Sequence, residues 1–210
     1  MFEALTYQNM LHEIQETAIK DGILNDTIGI LITRPDLSTG RNIADSLEYY
    51  HFRSGKTVNF YLPGYGAYWS QQEHPDEKIV TIVNGVKWSF SNEMFVDFIN
   101  DLEDHSQWRY SGESELLLVE LKDGILSYEN AIQLYLDKML RDKVVESVHG
   151  LFEDIIRNTK KKDSISGVSN TLGTQKLKQL TRKNILYMAP FGLGKVITQE
   201  KYFCMKDLSI

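Results

Sequence analysis

The sequence predicts an α/β fold: a three-layer helix-sheet-helix domain with a mixed, mainly parallel sheet, Rossmann-like or thioredoxin-like in layout, carrying a basic C-terminal extension. Three stretches carry that reading. Thr27 to Leu62 has the strand, loop, helix, strand pattern of a βαβ unit; Asn84-Gly85 between two β-rich runs asks for a type I′ hairpin; and Glu115 to Leu121 is almost continuously apolar, which suits a central strand covered on both faces.

Taken in order, Tyr7, Met10, Leu11, Ile14 and Ala18 recur at helical spacing with Gly22 just beyond, which predicts a first helix over residues 5–20. Ile28 to Thr33 is a short apolar, β-rich run, and Arg34-Pro35-Asp36 ends it with a proline and two charges. Ser38, Thr39 and Asn42 are cap-type residues; Ile43, Leu47 and Tyr50 then fall on one helical face, with Gly55 placed for a positive-φ stop. Thr57 to Leu62 alternates as a second strand until Pro63-Gly64-Tyr65-Gly66 breaks it. Two strands joined by a crossover helix should run parallel, with a right-handed connection.

Tyr65 to Glu77 has no clear period and reads as a loop. The hairpin over residues 79–90 is expected to join the same sheet and make it mixed. Ser91 or Asn92 can cap a helix striped by Met94, Phe95, Phe98, Ile99 and Leu102, ending near Asp104. Past the strand at 115–121, Lys122-Asp123-Gly124 turns the chain. Ile132, Leu136, Leu140, Val144, Val148, Leu151 and Ile155 then step by four and three, which predicts one helix of about 30 residues. The composition changes after Asn158: residues 1–158 read as the α/β domain, 159–175 as a flexible loop or linker, and 176–210 as a basic extension, with a last strand between Lys195 and Met205, packed on the domain or on a second subunit.

The formal charge of −6 conceals an asymmetry. Residues 160–210 hold ten Lys and Arg against Asp163, Glu200 and Asp207, a balance of +7, which leaves 13 basic and 26 acidic residues, or −13, in residues 1–159. The apolar residues of the tail, among them Leu177, Leu180, Leu186, Phe191 and Tyr202, are too many for a solvated arm. Residues 176–205 are therefore expected to fold back or to pair with a protein partner or second copy, and nucleic-acid binding, which needs a continuous basic cluster, is not expected. The longest apolar run, Leu116 to Val119, is too short to span a bilayer and the start lacks a signal-peptide pattern, so a cytoplasmic protein without a membrane partner is expected. Cys204 is the one cysteine, which excludes an internal disulfide and a thiolate-rich zinc site.

The strongest site candidate is the turn after the first predicted strand. Arg34, Ser38, Thr39, Gly40 and Arg41 bring guanidinium groups, hydroxyls and free N–H groups to a helix amino end, a combination that suits a phosphate or carboxylate. Ligands of open α/β sheets sit beyond the carboxyl ends of the strands, so Tyr65 in the second loop should face the same pocket. His51, in Tyr49-Tyr50-His51-Phe52-Arg53, and Tyr65 are candidates for general acid-base chemistry. Glu120 and Asp123, at the carboxyl end of the apolar strand, are placed by a parallel sheet beside Arg34, as counter-ions or bases.

Nucleotide motifs are missing: Gly194-Lys195 lacks the first glycine and the Ser or Thr of a phosphate-binding loop, and no G-x-G-x-x-G follows the first strand. His12, His51, His74, His105 and His149 have no metal-ligand spacing, so no metal is assigned, and no cofactor can be named. Two readings follow. The first is an enzyme or sensor domain, with no reaction assigned, that binds a small anionic ligand such as a nucleotide or phosphorylated metabolite at the strand ends. The second is a non-catalytic protein-protein interaction module using the long helix and the basic extension.

Overall fold

The computed structural model describes residues 2–4, 6–24, 26–54, 59–67, 74–160 and 199–210, and every structural statement below concerns these. The predicted linker from residue 161 and the extension as far as residue 198 lie outside them.

The main sheet has six strands: β1 (Phe2–Ala4), β2 (Asp26–Ile32), β3 (Asn59–Pro63), β7 (Glu115–Lys122), β8 (Ile125–Tyr135) and β9 (Phe203–Lys206), in the order β1-β3-β2-β7-β8-β9. β3 pairs in parallel with β1 and with β2, so the βαβ reading of residues 27–62 describes this half of the sheet. Between β2 and β3 the chain forms two short helices, α2 (Ser38–Asp45) and α3 (Leu47–Ser54), where one helix was expected. The anticipated apolar face is intact across the break, since Ile43, Leu47 and Tyr50 are all buried.

The other half of the sheet overturns the predicted layout. β7 runs antiparallel to β2, with Ile28 opposite Val119 and Ile32 opposite Glu115; β8 is antiparallel to β7 and β9 to β8. β4 (Tyr65–Ala67), β5 (Lys78–Val83) and β6 (Val86–Phe90) form a separate antiparallel sheet, ordered β4-β6-β5. The Asn84-Gly85 hairpin therefore exists, but it builds a second sheet and does not make the first one mixed. With two sheets, one mixed and one antiparallel, and few helices, the chain is not a three-layer Rossmann-like or thioredoxin-like domain.

The long helix expected over residues 127–155 is the main cause of that error. Its first part is β8, and helical residues follow only in α5 (Leu136–Arg141) and α6 (Val148–Lys160), separated by a turn in which Lys143 has φ 55°. Asp123 and Gly124 have φ 51° and 78°, nearly the values of Asn84 and Gly85 at 51° and 77°. Both pairs lie in the left-handed region that a two-residue hairpin turn requires. Ile132, Leu134 and Leu136 satisfy a period of two as well as the period read from Ile132, Leu136 and Leu140, and the turn decides between them.

β7 is an interior strand, as its apolar run implies: Leu116, Leu117, Leu118 and Val119 are each at most 2% exposed. Burying such side chains contributes about 1.5–3 kcal/mol apiece. α1 (Tyr7–Asp21) is capped by the Thr6 side chain accepting from the Asn9 N–H, and ends at Gly22 in the left-handed region. α4 (Asn92–Asp104) is capped by Ser91, and Asp76 reinforces the cap by accepting from the Ser91 hydroxyl at 2.7 Å and the Glu93 N–H at 3.0 Å. Tyr7 of α1 meets Phe98 of α4 edge to face, while Phe60 of β3 and Tyr50 of α3 pack on Phe152 of α6. Residues 199–210 return to the body as α7 (Gln199–Tyr202) and β9, with Leu208 buried and Lys201 paired to Asp142 at 2.7 Å. No helix among the described residues is long and apolar enough to cross a membrane.

Candidate functional site

The antiparallel course of β7 decides which side chains surround Arg34. Arg34 follows β2, the residues leading into β7 flank it on one side, and the end of β3 with Tyr65 flanks it on the other. Glu115, at the start of β7, lies opposite Ile32, whereas Glu120 lies opposite Thr27 at the far end of β2. Glu120 and Asp123 are thus at the opposite end of the sheet from Arg34, the reverse of what a parallel strand would give. Glu120 accepts from Asn130 at 3.1 Å and pairs with Lys122 at 3.4 Å, and Asp123 is a turn residue with positive φ. His51 lies on α3 beside the Phe52 ring and does not line the groove described below. Its neighbour Arg53 is bound bidentately to Glu153, which also accepts from the Tyr49 hydroxyl, so that pair ties α3 to α6.

At the Arg34 end, Gly40 is needed for close approach. A Cβ there would sit 1.9 Å from the Arg34 carbonyl oxygen, so only glycine lets α2 pack against the turn that leads into it. Thr39 is buried and donates its hydroxyl to Asp137 of α5, whose other oxygen accepts from the Ser114 N–H at 2.6 Å. The Thr33 and Ser114 hydroxyls are 2.8 Å apart. Asp137 therefore clamps α2 to the entry of β7. Neither Ser38 nor Thr39 caps α2: the N-cap residue is Leu37, which has no side-chain acceptor, and Ser38 is exposed. The amino end of α2 borders an open groove of about 500 Å³ lined by Ser38, Thr39, Glu113, Asp137 and Arg141, with Leu37 and Leu140. Arg141 pairs with Glu113 at 3.0 Å.

Arg34 turns one edge outward, where Nη2 is 3.4 Å from Asp36, a residue whose side chain is 66% exposed. Arg41 is exposed and reaches the Asp36 carbonyl at 3.5 Å. Tyr65 is 1% exposed, belongs to an aromatic chain running through Phe90 and Phe95 to Tyr110 and Trp108, and does not line the groove. Burial pushes the Tyr65 hydroxyl well above its ordinary pKa, with Asp36 and Tyr110 adding to it. Burial likewise raises that of Tyr110, against the opposing charge of Arg34. No known protein family, curated protein or solved structure matches the chain.

Asp137 and Arg141 were missed as groove residues because 127–155 read as one helix, which hid the hairpin that returns Asp137 to the start of β7. The two carboxylates before the apolar run, Glu113 and Glu115, were passed over for Glu120 and Asp123 because the strand was read as parallel. Glu115 stands at the start of β7. It is fully buried and accepts from the Trp108 indole at 3.1 Å, the Gln133 amide at 2.6 Å and the Ser111 N–H at 3.1 Å, so three neutral donors replace the cation that a buried carboxylate usually has. Among the described residues no cluster of His, Cys, Asp and Glu could hold a metal ion.

Proposed function

We propose that the chain binds a small anionic metabolite in the groove between α2 and α5, with the anionic group at the amino end of α2. The observation that carries the reading is the uncapped first turn of α2 at the rim of that groove. The first N–H groups of a helix have no partner within it, and together with the helix dipole they favour a negative charge. Ser38 adds a hydroxyl and Arg141 a positive charge to the groove lining, beside Glu113 and Asp137, with Arg34 and Arg41 in the adjoining turn and helix. The groove volume falls within the range of about 300–1,000 Å³ usual for small-molecule sites. The Arg141–Glu113 pair, with side chains 57% and 31% exposed, costs little to rearrange, since such surface pairs contribute about 0–1 kcal/mol. A cytoplasmic setting belongs to the same reading, and no reaction is assigned.

The test places a competitor in the site. Leu37→Asp gives α2 a carboxylate cap, a change in cap residue that adds about 0.5–2 kcal/mol to a helix. The parent protein is expected to melt at a higher temperature with at least one member of a panel of nucleotides and phosphorylated sugars, and Leu37→Asp to lose that response while remaining folded. A parent indifferent to the whole panel, or a variant that responds as the parent does, overturns the reading.

A further inference from the structure

α2 carries its charges the wrong way round for a helix. The dipole is positive at the amino end and negative at the carboxyl end, so acids are favoured in the first turn and bases in the last. α2 has no acid in its first turn and no base in its last, and its final residue is Asp45. Asp45 and Glu146 line a second cavity, of about 310 Å³, beside the carboxyl half of α2. Both carboxylates are exposed, and neither has an ion-pair partner among the described residues. The walls between them are largely apolar and aromatic, from Ile43, Tyr50 and Val148, and include no lysine or arginine. His149, the one imidazole of the lining, is tilted against the rings of Tyr49 and Tyr50, with centroids 4.9 and 5.6 Å apart. The negative end of the helix dipole and two carboxylates thus meet at one cavity, which calls for a cation.

Leu140 lines both this cavity and the groove at the amino end of α2, so the two adjoin along one helix. We propose that together they take one dipolar metabolite, its anionic group at the amino end of α2 and an ammonium group at the carboxyl end, between Asp45 and Glu146. The inference rests on the groove reading above and names its ligand class. The charge count favours it over a purely anionic ligand. The two linings hold four carboxylates, Asp45, Glu113, Asp137 and Glu146, against Arg141 as the one lysine or arginine. An ammonium group on the ligand offsets that excess, and at the carboxyl end of α2 it supplies the positive charge that the last turn lacks. The helix sets the spacing. The 8 residues of α2 span about 12 Å, so the two charges sit at opposite ends of an extended chain and not on adjacent atoms as in an α-amino acid. Ile43 and Leu140 offer that chain an apolar bed.

The experiment reads the melting temperature of the full chain at constant ionic strength with hexyl phosphate, aminohexyl phosphate and aminoethyl phosphate. The same series is run on a double variant, Asp45→Asn with Glu146→Gln, whose exposed positions leave folding intact. The expected result is a saturable rise with hexyl phosphate and a larger one with aminohexyl phosphate. Aminoethyl phosphate, too short to reach both ends, should do no better than hexyl phosphate. In the double variant the advantage of aminohexyl phosphate should vanish, while the response to hexyl phosphate stays as in the parent. Equal responses to hexyl and aminohexyl phosphate in the parent, or an advantage that survives in the double variant, overturn this inference and leave the groove reading standing. A parent that responds to none of the three compounds overturns both.

Discussion

Gly40→Ala tests whether the close approach at the start of α2 is obligatory. Two effects oppose each other. In a helix interior alanine is favoured over glycine by about 1 kcal/mol, so local propensity alone predicts stabilisation. Against it, the new Cβ would lie 1.9 Å from the Arg34 carbonyl oxygen, 2.6 Å from Thr33 Oγ1 and 2.7 Å from the Arg34 carbonyl carbon. Bringing the carbonyl oxygen merely to 3.0 Å, the closest that real Cβ contacts come, needs a shift of 1.1 Å. The obstacle is backbone, and it is held: the same oxygen accepts from the Leu37 N–H at 3.1 Å. Overpacking costs of about 1–3 kcal/mol apply, and a backbone obstacle argues for the upper half of that range. Net destabilisation of about 1–2 kcal/mol remains after the propensity gain, which for a chain of this size lowers the melting temperature by about 2–8 °C. Chemical denaturation of parent and variant measures it. A variant as stable as the parent, or more stable, would refute the packing of α2 on the Arg34 turn and with it the position of the groove.

Leu118→Ala, at a position 2% exposed in interior strand β7, should cost about 2–5 kcal/mol by equilibrium denaturation, and a loss below about 1 kcal/mol would remove β7 from the centre of the sheet. Asp76→Ala removes the acceptor that reinforces the α4 cap and should cost about 0.5–2 kcal/mol. Burial pushes the Asp76 carboxyl up, but the Glu93 and Asn92 N–H groups and the Ser91 hydroxyl outweigh this and hold it below its ordinary value of 3.8. A depressed folded-state pKa means that the contribution is complete above 3.8 and is lost as the pH falls below it; parent and variant should therefore converge in stability in acid, and a gap that stays constant down to pH 2 would count against the cap.

The sequence was most legible where local chemistry leaves one solution. Gly22 and the spacing of Tyr7, Met10 and Ile14 define α1; Ser91 and the Phe95 stripe define α4; Asn84-Gly85 defines a hairpin. It misled where two periodicities fit the same residues. Asp123-Gly124 has the same turn chemistry as Asn84-Gly85, yet the helical spacing of Ile132, Leu136 and Leu140 outweighed it. Reading a strand there would have made β8 the antiparallel partner of β7, while the antiparallel pairing of β7 with β2, which puts Glu115 and not Glu120 at the Arg34 end, is a separate matter. Strand direction is a tertiary property: an apolar run such as Leu116 to Val119 announces burial on both faces but not which way the chain runs. Arg34, Ser38, Thr39 and Gly40 were legible as a group at a helix start, while the fact that Leu37 and not a serine or threonine occupies the cap depended on a one-residue choice of boundary.

The ordering of strand lengths bears on how the protein avoids sticking to copies of itself. The longest strands, β7 and β8, are inside the main sheet, and its margins are β1 and β9, of three and four residues. In the smaller sheet one margin is β4, again of three residues, and the other is β5, where the register slips between Ile79 and Thr81. Open ladders of N–H and C=O groups invite another chain to add a strand, and short margins or a bulge deny it a straight template. β5 has the greater need, because Ile79 and Ile82 are 57% and 55% exposed; the irregularity between them, with Lys78 at the strand's start, interrupts the one margin long and apolar enough to seed sheet-to-sheet aggregation.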